Sequence, residues 1–239
     1  MTDTVHPPRS RFTRTVILSL LALAGIGFCA LGTWQVKRLV WKLDLIERVD
    51  SRIHADAVPA PLPVDWNNIT TAGDEYRKVC ITGHFLQDRD TRVDALTERG
   101  AGDWILSPLQ AQGGYVVLVN RGFVPKGKPY TASPNNQPEN SRNVCGLLRI
   151  SEPAGRILRP NEADADRWFS RDVAAIAAKR NLANVAPYFI DAEYDAAAAP
   201  WPRGGMTVVS FRNNHLQYAL TWFALALLAA FAVWRFARE

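Results

Sequence analysis

Two uninterrupted apolar runs lie near the ends of the chain, and shorter alternating runs fill the stretch between them. The first, Thr15 to Val36, reads TVILSLLALAGIGFCALGTWQV and carries no charge. At about 1.5 Å per residue, about 22 residues cross a hydrocarbon core of ~30 Å. A cleaved leader would have a shorter apolar stretch and a small-residue cleavage motif. Here Trp34-Gln35 and then Lys37-Arg38 follow, an interfacial aromatic and a charged stop, so an uncleaved anchor is expected. The second run, His215 to Trp234, is closed by Arg235 and Arg238, with Tyr218 and Trp222 near one end and Trp234 at the other. Two spans place both termini on one side of the bilayer. Basic residues flank the first span on both sides, Arg235 and Arg238 add to the termini side, and long loops translocate largely regardless of charge. The expected organisation is a cytoplasmic tail over 1–14, a span over 15–36, a β-rich domain outside the cytoplasm over 37–212, a span over 213–234 and a tail over 235–239.

Between the spans, Trp41 to His54 has helical spacing at Leu45, Ile46, Val49 and Ile53 and continues the first span, and the Pro-rich stretch 57–63 ends it. Strands are expected over Tyr76–Phe85, Trp104–Leu109, Gly114–Val124, Val144–Ile150, Tyr188–Tyr194 and Met206–Phe211, which are rich in Val, Ile, Tyr and Phe. Gly100-Ala101-Gly102, Gly113-Gly114 and Gly204-Gly205 read as turns. Asp166 to Asn181 reads as one Ala-rich helix, and 126–143 as a long exposed loop. The fold class is an α+β membrane protein, with two terminal transmembrane helices flanking a β-rich domain, a curled antiparallel sheet or small barrel.

The net charge of +5 is explained by basic residues flanking the spans, and no nucleic-acid-binding signature is present. Cys29, Cys80 and Cys145 form no CxxC. Cys80 and Cys145 sit in strand-like segments; two buried thiols are the simpler expectation, pairing being open to them outside the cytoplasm.

No GxSxG, Walker loop, GxGxxG or paired-histidine motif occurs, and the acidic residues from Glu152 to Asp172 read as a solvated stretch, so no enzyme is expected. His215 is different. An ionisable group at a membrane helix is costly and usually turns to a protein interior. His215, Ala219, Trp222, Ala226 and Ala230 form one mostly small stripe, and Gly25, Cys29 and Gly32 form another on the first span. A neutral imidazole beside an apolar slot between the helices is able to ligate heme iron, with Tyr218 and Trp222 against the ring and Arg212 at the mouth to meet propionates. The plainer alternative is an interfacial histidine that only hydrogen-bonds the domain. Trp34, Gln35 and Arg38 read as membrane-edge anchors or a docking surface, and Asn120 and Arg121 as a partner contact or a sheet-edge cap.

The segments GTWQVKRLVWKLDLI, VNRGFVP, WFSRD, PYFIDA and RNNHLQYALTW occur in an order that resembles the surfeit locus protein 1 family of cytochrome c oxidase assembly factors. The resemblance implies a multi-pass protein of a bacterial inner membrane with its large domain in the periplasm. It implies heme a as transient cargo held by His215, and the oxidase catalytic subunit and heme a synthase as partners. A scaffold that stabilises a nascent oxidase subunit without heme is one alternative. A membrane-anchored enzyme is another, and requires a pocket of convergent titratable groups among Glu152 to Asp172 and Arg121.

Overall fold

In the computed structural model, residues 11–130, 141–195, 201–207, 211 and 213–238 are described. The chain divides into a helical unit (Met1–Arg48 with Ser210–Glu239) and a sheet domain (Val49–Val209).

The helical unit contains α1 (Arg11–His54), which runs on past Arg48 into the sheet domain, and α4 (His215–Ala237). Both are long and apolar enough to cross a membrane, and only 6% and 17% of their apolar stretches are buried. The core helix of a soluble fold would be mostly buried. Here Leu20, Leu23, Ile26, Leu220, Leu227 and Leu228 face outward, while α4 turns Ala219, Ala226 and Ala229 inward. Large apolar residues outside and small ones inside is the arrangement a lipid solvent favours, so the protein is a membrane protein.

Among the described residues the sheet domain has a one-turn helix α2 (Thr71–Asp74) and seven strands: β1 (Val58–Pro59), β2 (Lys78–Phe85), β3 (Thr91–Thr97), β4 (Gly100–Ala111), β5 (Val116–Pro125), β6 (Arg142–Ile150) and β7 (Val185–Ala192). Their order is β1-β2-β6-β7-β5-β4-β3, and an added β2–β4 pairing closes β2, β6, β7, β5 and β4 into a barrel. The long strand β4 makes closure possible. Its first half pairs with β3 and its last three residues pair with β2, with a register shift against β5 at Ile105/Leu106. Alternation sorts two cores. Val117, Val119, Tyr188 and Ile190 point into the barrel with Val79 and Leu148. Leu118 and Phe189 point outward into a second cluster with Trp168, Val173 and Ile176, under α3 (Val173–Lys179). Fully burying each of these large apolar side chains contributes roughly 1.5–3 kcal/mol.

Several expectations need correction. The Asp166–Asn181 helix is only Val173–Lys179, capped by Asp172, whose side chain accepts from the Ala175 N–H at 3.1 Å. The preceding residues pair with the edge of the sheet instead: Asp94 N donates to Trp168 O at 2.8 Å, and Trp168 is buried. Gly100 to Gly102 lie inside β4, where the barrel brings Val124 O within 2.2 Å of where a Gly102 Cβ would stand. β3 was not foreseen. Met206 and Thr207 form no strand, and 208–210 lie outside the described residues, as do 131–140 of the expected loop. Cys80 and Cys145 are directly paired in register across β2 and β6 and form a disulfide, not two free thiols. Register between strands 65 residues apart decides this, and spacing along the chain does not reveal it.

Candidate functional site

α1 and α4 run antiparallel within the helical unit: Gln35 meets His215, Gly32 meets Phe223, Gly25 meets Ala229, and Arg14 reaches the carbonyl of Ala237. The inward residues of α4 follow a four-three rhythm, His215, Ala219, Trp222, Ala226, Ala229, as in left-handed helix pairs. Ala229 therefore takes the place expected for Ala230, which is exposed.

His215 opens α4 and is half-buried; its backbone N–H donates to Asn213 Oδ1 at 3.4 Å. Its Nδ1 lies 2.7 Å from Gln35 Oε1, and since an amide oxygen only accepts, Nδ1 is the donor. Gln35 is 9% exposed, and its amide oxygen is bonded inside the seam. Trp222 stacks on Phe28 with ring centroids 5.7 Å apart. A Cβ on Gly32 would come within 2.8 Å of the Phe223 ring, and one on Gly25 within 3.5 Å of Ala229 Cβ. The small residues thus let the helices close on each other along these positions, where an apolar slot was expected. Tyr218 is 54% exposed on the outer flank, apart from the seam occupied by Trp222. Trp34 is exposed, and the Arg38 guanidinium lies 4.2 Å from the Trp41 ring. Cys29 is free and exposed. Arg212 lies outside the described residues.

In the sheet domain a cleft of about 640 Å³ opens beside the β3–β4 turn, lined by Tyr76, Trp104, Asn120, Arg149, Arg171 and Asp191 among others. Asp191 is its buried centre. It accepts from Asn120 Nδ2 at 2.8 Å, Arg149 Nη1 at 3.0 Å, Arg171 Nη1 at 3.2 Å and Thr207 Oγ1 at 2.9 Å. Arg149 also pairs with Glu75, and Arg171 with Glu152. Burial disfavours charge on Arg171, but Asp191 and Glu152 outweigh it and raise its pKa. Burial likewise works against the Glu152 carboxylate, and the hydrogen bonds and charge of Arg171 hold it below the usual carboxylate range. Glu152 therefore belongs to a network and is not merely solvated. Asn120 is buried too, its Oδ1 accepting from the Gly122 N–H at 3.1 Å, so it braces the sheet at the wall of the cleft. Arg121 lies over the Phe85 ring and donates to Tyr130, away from the cleft. The sequence reading named a pocket only as the requirement of an enzyme, among Glu152 to Asp172 and Arg121; the cleft takes Arg171 from that span, not Arg121, and its central residues Asp191 and Arg149 were not named. Its available signal was a lone acid, Asp191, in the apolar strand PYFIDA.

The SURF1 family matches residues 22–227, the whole of the sheet domain and the adjoining parts of α1 and α4. This chain belongs to the SURF1 family. Surfeit locus protein 1 of Homo sapiens is 35% identical over 90% of this chain and 74% of its own length. Its Mus musculus counterpart is 33% identical over 89% and 72%. A SURF1-like protein of Monosiga brevicollis is 31% identical over 92% and 87%. SURF1 proteins are known as cytochrome c oxidase assembly factors. The match takes in Gln35 and His215 on the two helices as well as the arginine-bearing cleft.

Proposed function

We propose that this chain assists assembly of cytochrome c oxidase by binding heme a as transient cargo through His215 and passing it to the catalytic subunit. What carries the reading is the placement of His215: half-buried at the start of α4, its ring turned onto α1. An imidazole anchored at one nitrogen by a neighbouring amide is a suitable iron ligand at the other. The closed seam leaves no room for a porphyrin between the helices, so the cargo would lie on the outer flank. Tyr218 is accessible there, whereas Trp222 is already stacked on Phe28. Arg212 remains the candidate for a propionate.

Heme a synthase and the oxidase catalytic subunit are the proposed partners, with membrane lipid around the helices and Trp34 and Arg38 at its edge. Both termini lie in the cytoplasm of a bacterial cell, with the domain in the periplasm of its inner membrane. The Cys80–Cys145 disulfide supports an oxidising compartment for that domain. The role is carriage and not catalysis. The cleft fits this reading, since the acids and guanidinium groups at its base are paired with one another. The sealed seam favours one second reading, a scaffold that never touches heme.

The test is to produce the protein in cells making heme a and record its visible spectrum. The parent is expected to carry heme a and His215→Ala to lack it. Equal heme in both sinks the ligand assignment, and a colourless parent favours the scaffold.

A further inference from the structure

Gln35 is the second polar group of the helix seam, and heme binding by itself makes no demand on it. It shares with Gly25, Phe28 and Gly32 the face of α1 that meets α4, and it is 9% exposed with a 2.7 Å bond to His215 Nδ1. A buried carboxamide is costly unless bonded, and its oxygen is an acceptor only. Neutral imidazole carries one proton, and an acceptor at Nδ1 draws the proton there. The lone pair is then left on Nε2, across the ring from the seam.

We infer that Gln35 is the positioning residue of His215: its Oε1 locks the imidazole in the Nδ1–H tautomer and presents Nε2 as the donor to an iron-bearing cargo. The inference rests on the proposed role of His215 and deepens it. The amide does three things at once. It selects the nitrogen that ligates, it stops rotation of the ring about its side-chain bonds, and it raises ligand basicity by pulling on the opposite proton. Without it, the proton would be shared between the two ring nitrogens, and only a fraction of the molecules would present Nε2.

The test begins without cargo. Full-length protein carrying 15N-labelled histidine, in nanodiscs, is examined by NMR, with the His215 signals identified by their loss in His215→Ala. The expected parent spectrum is the Nδ1–H tautomer. Gln35→Leu is expected to shift it to a mixture or to Nε2–H, and Gln35→Glu to restore Nδ1–H. A parent in the Nε2–H form, or a tautomer unchanged in Gln35→Leu, overturns the inference. The parent measurement decides even if Gln35→Leu does not fold. With heme a bound, the iron–histidine stretching frequency is expected to fall in Gln35→Leu and to recover in Gln35→Glu. Loss of occupancy with an unchanged frequency in the remaining complex means that Gln35 only holds the helices together, and overturns it. If the parent binds no heme, the cargo reading fails while the tautomer experiment still decides the role of Gln35.

Discussion

Asn120 on β5 donates a 2.8 Å hydrogen bond to Asp191 on β7, side by side across a parallel strand pair. The two residues stand one step along the outer face from Leu118 and Phe189, where the apolar cluster under α3 gives way to the polar cleft. Asp191 is 4% exposed and answers two guanidinium groups.

Removing that carboxylate leaves Arg149 with Glu75 and Arg171 with Glu152, without the buried charge the two arginines share. Asp191→Ala is expected to destabilise the sheet domain by about 3 kcal/mol, the low end of the usual cost of breaking a buried ion pair from one side. Thermal unfolding of the full chain in detergent, followed by sheet circular dichroism, checks it. A melting temperature equal to the parent's would mean the network contributes nothing.

Glu152 makes stability depend on acid. Its folded-state pKa is depressed by Arg171 against the opposing effect of burial. A depressed carboxylate stabilises the fold above its unfolded value, about 4.3, and the contribution is lost as pH falls through the lower folded value. Glu152→Gln is therefore expected to melt below the parent at neutral pH, and the gap to close in acid. Melting curves of both across the pH range test this; a gap independent of pH contradicts it.

The Cys80–Cys145 bond closes a loop of 65 residues between β2 and β6. Its reduction, or Cys80→Ser with Cys145→Ser, is expected to cost about 2–4 kcal/mol. Comparing unfolding with and without reductant reads the loss, and free-thiol titration of unreduced protein should count one cysteine, Cys29.

Helix pairing is testable in the membrane itself. The Cβ position of Gly25 lies 3.5 Å from Ala229 Cβ, within disulfide range. With Cys29 replaced by Ala, Gly25→Cys combined with Ala229→Cys is expected to cross-link readily within one chain. Adding Gly32→Val, which pushes against Phe223, should lower the yield. Poor cross-linking of the first pair would refute the seam.

The spans were legible because a bilayer imposes a one-dimensional constraint that a count of apolar residues captures. The inward turn of His215 was legible from helical period. The exact seam was not, because paired helices follow a four-three rhythm, which selects Ala229 over Ala230. β5 announced itself by its Val-rich run. β3, reading TRVDALT, alternates as a half-buried strand does, with Arg92 and Asp94 on the open face, but it is short and Val93 is its one large buried apolar residue, so it did not stand out. Asp191 was passed over and Gln35 was read as a membrane-edge residue for a common reason. A polar side chain is assigned outward unless its partner is known, and these partners lie 71 and 180 residues away.

The strand order also sets a schedule for synthesis. β5 and β6 are made one after the other yet do not pair, because β7 slips between them. Until the ribosome has passed Ala192, the barrel has a gap in its wall that no earlier segment fills. The next long element is α4, starting at His215. Closure of the wall and arrival of the second apolar helix at the membrane therefore fall within one short interval, and a chain stopped just before Val185 would be left with two raw sheet edges.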